Sequence, residues 1–275
     1  MKLGAVAILD ALGFKGIWKR EQPELVIGKL RRLRDRIVGD IARAQQTFPA
    51  MLSAEKVTRQ AAFLSDSLVV AVSVEPGGIG ALGPIPLAVG GFPDLVRQDH
   101  SLRDLLLTLA PLIDVAATAA PCFAYRGVIA CGEFEFEDVF VLGEAIDEAA
   151  ALASTADGAF VWLAPSANEV HGQFAELNPY SRPWDALAPV YDVPMKEGRL
   201  VRTRVLNPFA DREPSTRGAL VDALLATFGT DNEDVQRKRR NTEVFLRTFM
   251  AQRPAGELFK ELLPRPPGWK GKWFF

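Results

Sequence analysis

Two aspartates stand at the ends of apolar runs, where a carboxylate is costly to bury. Asp10 follows four apolar residues in VAILDALGF (6–14), and Asp66 falls in the bend of FLSDSLVVAVSV (63–74). A carboxylate in such surroundings needs a hydrogen-bonding partner or a cation. Hard divalent cations prefer oxygen ligands of this kind and often complete their coordination with substrate phosphates. The pair therefore predicts a metal site, with nucleotide chemistry as the first hypothesis.

The 56 residues that separate the two aspartates (66 minus 10) leave room for a helix and a returning strand. Residues 4–10 form an apolar run typical of a buried strand. Apolar residues spaced by three and four then predict a long amphipathic helix from Pro23 to Phe48. Its expected buried stripe is Leu25, Ile27, Leu30, Leu33, Ile37 and Ile41. The segments VTRQAAFLS and SLVVAVSVE predict a hairpin closed around Asp66.

The order of elements continues through the rest of the chain. We expect a helix over 101–120, a hairpin over 123–143, a helix that starts at Gly143 to Glu144, and the strand AFVWLAP. The glycine- and proline-rich segment 75–99 reads as an irregular excursion, because no lysine-bearing turn of a phosphate loop follows it. The resulting βαββαβ order predicts an α+β fold with an antiparallel sheet.

The last third of the chain is less regular at first and then helical. PVYDVPMK and RLVRTRVLNPF predict paired strands up to about Phe209, and GALVDALLATFG and EDVQRKRRNTEVFLRTFMAQ predict two helices. We therefore expect one domain over 1–209 and a helical C-terminal extension over 210–275. The basic face of the second helix is typical of a solvated helix surface.

Composition limits the classes of partner. The 275 residues are 48% hydrophobic and 24% charged, which predicts an ordered globular chain. A net charge of -2 gives no electrostatic basis for general nucleic-acid binding. No run reaches the roughly 18 apolar residues of a membrane span, and no signal-peptide pattern is present, so we expect a cytoplasmic protein without membrane contact. Cys122 and Cys131 are expected to be free thiols in apolar strands, and His100 and His171 to lie in polar loops with no zinc spacing.

Three segments resemble the class III nucleotidyl cyclases, the adenylate and guanylate cyclase family. ILDALGFKG (8–16) resembles the first strand and phosphate-binding turn of that family, and LSDSLVVA (64–71) is similar to its metal-binding hairpin. YRGVIACGEF (125–134) followed by LGEAIDEAAAL (142–152) is similar to its Arg-x-Gly-Ile-x-x-Gly strand and the helix after it. The resemblance covers roughly residues 1–165 and implies a ferredoxin-like βαββαβ core with a helical C-terminal extension.

The resemblance also implies a set of site residues. Asp10 and Asp66 would be the catalytic aspartates that hold two Mn²⁺ (or Mg²⁺) ions, with the carbonyl of Ala11 as a further ligand. The amides of Gly13, Phe14 and Lys15 would face the triphosphate of a nucleoside triphosphate substrate. The implied chemistry is two-metal phosphoryl transfer, in which the ribose 3′-hydroxyl attacks the α-phosphate and pyrophosphate leaves. We add Arg126 as a base or phosphate contact.

Several positions depart from the purine cyclases. Ala62 stands where a base-reading lysine is expected, and Phe140 stands where a polar base reader is expected. Asp147 and Ala151 replace the asparagine and arginine of the family's helix. Another cation, Arg126, Arg59 or Lys196, would have to stabilise the transition state, since an alanine cannot.

Metal aspartates together with an altered base pocket resemble the pyrimidine cyclases of bacterial Pycsar anti-phage systems. That resemblance implies synthesis of cyclic UMP or cyclic CMP from UTP or CTP as a second messenger. It also implies a homodimer with active sites at the subunit interface, manganese as the preferred metal, and a separate effector protein that reads the cyclic nucleotide.

Two other interpretations remain open. The chain could be a non-catalytic cyclase-like module that binds nucleotide or dimerises to regulate a partner. It could also be a relative of the diguanylate cyclases or of the polymerase palm, which share the βαββαβ order. The second is disfavoured because Ser65-Asp66-Ser67 is a poor match to a Gly-Gly-Asp-Glu-Phe hairpin.

Overall fold

The computed structural model describes most of the chain. The described residues are 1–14, 17–39, 56–75, 93–137, 140–177, 182–210, 212–229 and 232–253. Lys15 and most of the segment 75–99 lie outside them. Among the described helices, none has the length and hydropathy that crossing a membrane requires.

Mixed α/β architecture is built on a central sheet. The strands are β1 (Lys2–Leu12), β2 (Lys56–Leu64), β3 (Ser67–Glu75), β4 (Ala124–Glu137), β5 (Phe140–Leu142) and β6 (Val161–Leu163), with a separate hairpin of β7 (Val190–Pro194) and β8 (Leu200–Arg204). The strand order is β2-β3-β1-β4-β5, and all these neighbours are antiparallel. β6 pairs with β4 in parallel. The expected hairpins at Asp66 and at β7–β8 are confirmed.

Helices cover both faces of the sheet. They are α1 (Pro23–Gly39), α2 (Pro93–Thr118), α3 (Glu144–Leu152), α4 (Pro165–Leu177), α5 (Arg182–Leu187), α6 (Arg217–Ala226) and α7 (Glu233–Phe249). α2 begins at Pro93, eight residues before the expected start at 101. α4 and α5 were not expected, so His171, like His100 in α2, lies on a helix and not in a loop. Cys131 is buried in β4, whereas Cys122 is exposed and precedes that strand.

Alternation along β1 divides the core into two. Ala5, Ala7 and Leu9 pack on one face with residues of α1 and α2. Val6 and Ile8 pack on the other face with residues of α3, α6 and α7. Successive strand residues point to opposite faces, so Asp10 shares the face of Val6 and Ile8. The side of the sheet that carries Asp10 is therefore the side on which the C-terminal helices pack.

An aromatic cluster joins α7 to the rest of this second core. The ring of Phe245 lies 5.1 Å from that of Phe160 and 5.2 Å from that of Tyr191, and the ring of Phe249 lies 5.7 Å from that of Tyr191. Such edge-on contacts add to the energy of burying the rings. The helices expected after 210 are present, and the boundary at 209/210 stays a prediction.

The buried stripe of α1 differs from the expected one. Leu25 and Ile27 are 52% and 41% exposed, so their assignment to the buried stripe was wrong. Val26, Lys29 and Leu33 face the core instead, at the spacing of three and four that one helix face requires. The pattern misled because a lysine occupies the central buried position.

Lys29 is buried because it satisfies the end of another helix. Its Nζ donates to the carbonyl oxygens of Val115 (2.7 Å) and Ala116 (3.1 Å) and to that of Ala119. These carbonyls belong to the last turn of α2 and the residue after it, where backbone acceptors lack helical partners and a cation is favoured. Burial lowers the pKa of Lys29 to about 8, so the ammonium is still mostly charged at pH 7.

Replacing Lys29 by methionine should strongly destabilise the fold. Three carbonyls, one buried and two partly buried, would lose their donor, and we expect a loss of about 3 kcal/mol in the free energy of unfolding. Urea denaturation measures it. The matched control is Arg31→Met on the exposed side of the same helix, for which we expect a change below about 0.5 kcal/mol. A change below about 1 kcal/mol in Lys29→Met would contradict the capping role.

His171 should make the fold sensitive to acid. It is buried in α4, and burial together with the nearby guanidinium groups of Arg204 and Arg103 lowers its pKa from 6.5 to about 3. The unfolded chain therefore takes up the proton first, so this contribution to stability is full above pH 6.5 and falls as the pH drops towards 3. The slope is about 1.4 kcal/mol per pH unit.

Urea unfolding between pH 6.5 and pH 5 tests this prediction, because few carboxylates titrate there. Wild type should lose about 2 kcal/mol over that interval, and His171→Leu should lose much less. Equal losses in the two proteins would refute the assignment to His171.

Candidate functional site

The sheet brings the two candidate aspartates together at one end of neighbouring strands. In the strand register Asp10 lies between Ser67 of β3 and Arg126 of β4. The amide of Ala11 donates to the carbonyl oxygen of Asp66 at 3.0 Å. The adjacency expected from the spacing of the two residues is therefore present in the backbone.

Asp66 occupies a tight two-residue turn between β2 and β3. Ser65, the first turn residue, has a φ of 63°, in the left-handed region that side chains other than glycine adopt at a cost. Strained positions of this kind occur at functional sites. Within the residues that the structure describes, the Asp66 carboxylate has no recorded hydrogen bond or ion pair, and it is partly exposed. Its oxygens are available to a ligand.

Asp10 is held by an arginine from the neighbouring strand. Arg126 donates from Nε (3.0 Å) and from Nη2 (2.7 Å) to the same oxygen, Oδ2. The side chain of Arg126 is 11% exposed and that of Asp10 is 22% exposed, so the pair is partly desolvated. Arg126 Nη1 is buried and has no hydrogen-bond partner in the described part of the chain. This geometry leaves Asp10 Oδ1 open and gives Arg126 one unused donor.

Hydrogen bonds from nearby residues hold the turn after β1. Gly13 has a φ of 76°, and the amide of Phe14 donates to the carbonyl of Ala11 at 3.4 Å. Arg20 donates to the carbonyl of Gly13. The Phe14 ring is buried against Trp18 and Phe123. The role of the amides of Gly13 and Phe14 towards a triphosphate stays a prediction, and the one given to Lys15 lies outside the described residues.

The donor set around the turn suits a hard cation with an incomplete protein shell. It consists of Asp10 Oδ1, the carboxylate of Asp66 and the carbonyl of Ala11, which accepts a long hydrogen bond of 3.4 Å from the amide of Phe14. In the described ranges no group of three or more His, Cys, Asp and Glu side chains could hold a metal ion. A Mg²⁺ or Mn²⁺ ion here would take its remaining ligands from water and phosphate.

Of the three cations considered as replacements for the missing arginine, Arg59 is committed elsewhere. Arg59 Nε donates to Asp104 Oδ2 at 2.6 Å, a second donor reaches Oδ1, and both side chains are 2% exposed. Its strand partner Val72 belongs to the core beneath α1 and α2, on the face away from Asp10. Arg59 is therefore a structural residue.

Lys196 lies near the candidate site. It is in the turn after β7, and its pKa is lowered first by burial and then by the positive charges of Arg126 and Lys238, while the carboxylates of Asp10 and Asp157 act in the opposite direction. The sequence drew attention to Lys196 but not to Lys238 or Asp157. Only the basic run in α7 could have pointed to Lys238, and it is indistinguishable from a solvated helix face.

The positions that depart from the cyclase pattern have distinct surroundings. Asp147 and Ala151 are exposed on α3, which contains no lysine or arginine. Ala62 packs at the edge of the second core. Phe140 is 40% exposed on the edge strand β5. No positive charge on α3 replaces the family's arginine.

Comparison with known proteins gives structural likeness only. No family model matches the chain, and no curated protein matches it. The dimeric guanylyl cyclase domain of the RhoGC fusion protein from the aquatic fungus Blastocladiella emersonii is 13% identical, over 75% of this chain and 96% of that one, with a TM-score of 0.44. A monomeric form of that domain is 13% identical, over 63% and 88%, with a TM-score of 0.39.

The catalytic core of a rhodopsin-guanylyl cyclase with converted specificity, in complex with ATPαS, is 14% identical over 75% of this chain and 96% of that one, with a TM-score of 0.42. Likeness at this level assigns no activity to the chain.

Proposed function

We propose that the protein is a nucleotidyl cyclase, a phosphorus–oxygen lyase that converts a nucleoside triphosphate to a 3′,5′-cyclic nucleotide and pyrophosphate. The observation that carries the proposal is the placement of Asp10 and Asp66 at adjoining ends of β1 and β3, the latter in a strained turn. The strand order β2-β3-β1-β4, with α1 and α2 on one face, supports a ferredoxin-like core.

In this proposal Asp10, Asp66 and Arg126 have separate roles. Asp10 and Asp66 hold the divalent ions, with Arg126 fixing the orientation of the Asp10 carboxylate through Oδ2. Bound Mn²⁺ or Mg²⁺ would acidify the ribose 3′-hydroxyl and neutralise phosphate charge. The unused Nη1 of Arg126 is suited to a phosphate oxygen, because charge-assisted hydrogen bonds are the stronger ones.

The substrate we favour is a pyrimidine triphosphate, UTP or CTP. Support comes from Ala62 and Phe140, neither of which can donate a side-chain hydrogen bond to a base. In this proposal the enzyme is a cytoplasmic homodimer with its sites at the subunit interface. Its cyclic nucleotide is a second messenger in anti-phage defence that a separate effector protein reads.

The test is to incubate the purified protein with Mn²⁺ and each of ATP, GTP, CTP and UTP and to separate the products by mass. We expect cyclic UMP or cyclic CMP, and the same panel with Mg²⁺ gives the metal preference. Cyclic AMP or GMP as the main product would refute the pyrimidine assignment but leave the cyclase. No cyclic product from any triphosphate would refute the cyclase itself.

A second candidate function is a non-catalytic nucleotide-binding or dimerising module. Two observations favour it: Arg126 already neutralises Asp10, and α3 carries no cation. Titration calorimetry with the four triphosphates separates the two functions, because the module would bind a nucleotide with no turnover whereas the enzyme would form product.

A further inference from the structure

Helix α7 is clamped to the loop that follows α3. Asp157, which is 2% exposed, accepts hydrogen bonds from Arg237 Nε at 2.6 Å and from Asn241 Nδ2 at 3.1 Å. Asn241 also donates to the carbonyl of Asp157 at 2.8 Å, and Thr242 accepts from the amide of Ala159 at 2.9 Å. These contacts fix one face of α7, at positions one and three to four residues from Lys238.

The turn that carries Lys196 is fixed to the same loop. The amide of Lys196 donates to the carbonyl of Thr155 at 3.0 Å, and the amide of Asp157 donates to the carbonyl of Pro194 at 2.8 Å. The loop around Asp157 is therefore a common support for the turn and for α7. It supports both the turn that carries Lys196 and the part of α7 that carries Lys238. The pKa of Lys196 is lowered first by burial and then by the positive charges of Arg126 and Lys238, which agrees with this placement.

Among the described residues, two lysines of this region have no acidic partner. Arg126 is paired with Asp10, and Arg237 is paired with both Asp157 and Asp234. Lys196 and Lys238 form no ion pair in the described part of the chain; the side chain of Lys196 is exposed and that of Lys238 is partly buried. Two unpaired lysines, beside an arginine with an unused buried donor, offer positive charge to an anion.

We propose that α7 is part of the nucleotide site and that Lys238, next to Lys196, contacts the polyphosphate of the substrate within the same chain. The proposal rests on the proposed function for the identity of the anion as a nucleoside triphosphate. It gives α7 a role that the cyclase resemblance, which covers residues 1–165, does not contain. The C-terminal helices then supply positive charge that α3 lacks.

The probe is inorganic tripolyphosphate, titrated into the full chain by calorimetry. Lys238→Met should weaken its binding about tenfold, the effect of losing one charge-assisted contact, whereas Lys238→Arg should stay within about threefold. Arg240→Met is the matched control: it removes the same charge two residues along the helix, on a different side, and its residue is exposed. We expect the control to change binding less than twofold.

Equal weakening in Lys238→Met and Arg240→Met, or no weakening in either, would overturn the proposal. Thermal unfolding like that of wild type is expected for Lys238→Met, because the described structure gives Lys238 no side-chain partner to lose. If tripolyphosphate binding depends on Lys238 but no triphosphate is cyclised, the anion site is supported and the proposed cyclase activity is refuted. If Lys238→Met forms product with an unchanged KM, the cyclase activity is supported and the proposed role of Lys238 is refuted.

Discussion

Asp66→Asn is expected to lose at least about a thousandfold in turnover of the preferred triphosphate while unfolding at the temperature of wild type. Asn is nearly the same size as Asp, but it has one carbonyl oxygen and no charge to offer a divalent cation. Stability should be unchanged because the Asp66 carboxylate has no protein partner within the described residues. Product formation under Mn²⁺ and a thermal melt measure the two quantities.

The matched control is Asp35→Asn. Asp35 is 64% exposed on α1, where it pairs with its neighbour Arg34, so the control removes the same charge from a helix and not from the strand ends. Its turnover should stay within about twofold of wild type. Turnover in Asp66→Asn above about a tenth of wild type would show that Asp66 binds no essential cation.

Asp10→Asn gives a second, different signature. Activity should fall as in Asp66→Asn, but stability should fall too, because Arg126 would keep a partly buried charge without its carboxylate. Leaving one member of a desolvated pair uncompensated is destabilising. Comparing stability in the two variants therefore distinguishes the proposed roles. Asp66 would act only as a metal ligand, whereas Asp10 would also stabilise the fold through Arg126.

Arg59→Met is expected to destabilise the fold by about 3–5 kcal/mol, since it leaves Asp104 charged and buried. Urea denaturation measures the loss. The double variant Arg59→Met with Asp104→Leu should recover most of it, because two apolar side chains of similar size replace a buried ion pair at little cost. Recovery of less than half would show that the pair has a further partner.

Arg202→Met is the matched control for Arg59→Met. Arg202 and Asp192 form an exposed pair, with side chains 74% and 50% exposed, and such pairs contribute about 0–1 kcal/mol. Turnover gives a second test of the structural role of Arg59. In conditions where the Arg59→Met protein stays folded, the turnover of Arg59→Met should match that of wild type. A loss of turnover in that folded variant would instead indicate that Arg59 contacts the substrate.

Local patterns in the sequence were enough to predict much of the sheet. Alternating and apolar runs predicted β1, β3 and β4, and the turn residues around Asp66 predicted the hairpin. Arg126, which the sequence singled out on a predicted strand, lies opposite Asp10 in the strand register, and its role towards a substrate stays a prediction. These features depend on neighbours along the chain or directly across a strand pair. Contacts of this kind produce local patterns of apolar and turn-forming residues that can be read from the sequence.

Features that depend on distant contacts were not predictable. Lys29 is polar, yet it is buried because the end of α2 lies above it, 86 to 90 residues along the chain. In the sequence Lys238 looks like a solvated residue of a basic helix. The hydrogen bonds that join α7 to Asp157 bring this part of the helix to the loop that also supports the turn of Lys196. Periodicity reports which face of a helix is apolar, but it does not report what that face packs against.

The aromatic cluster of Phe160, Tyr191, Phe245 and Phe249 has a practical consequence for work on fragments. Two of these rings precede residue 209 and two follow it, and each is packed against rings from the other side of that position. A fragment that stopped at 209 would present Phe160 and Tyr191 to water and would be expected to aggregate. Expression of the N-terminal part alone would therefore report on a damaged core and not on the catalytic potential of Asp10 and Asp66.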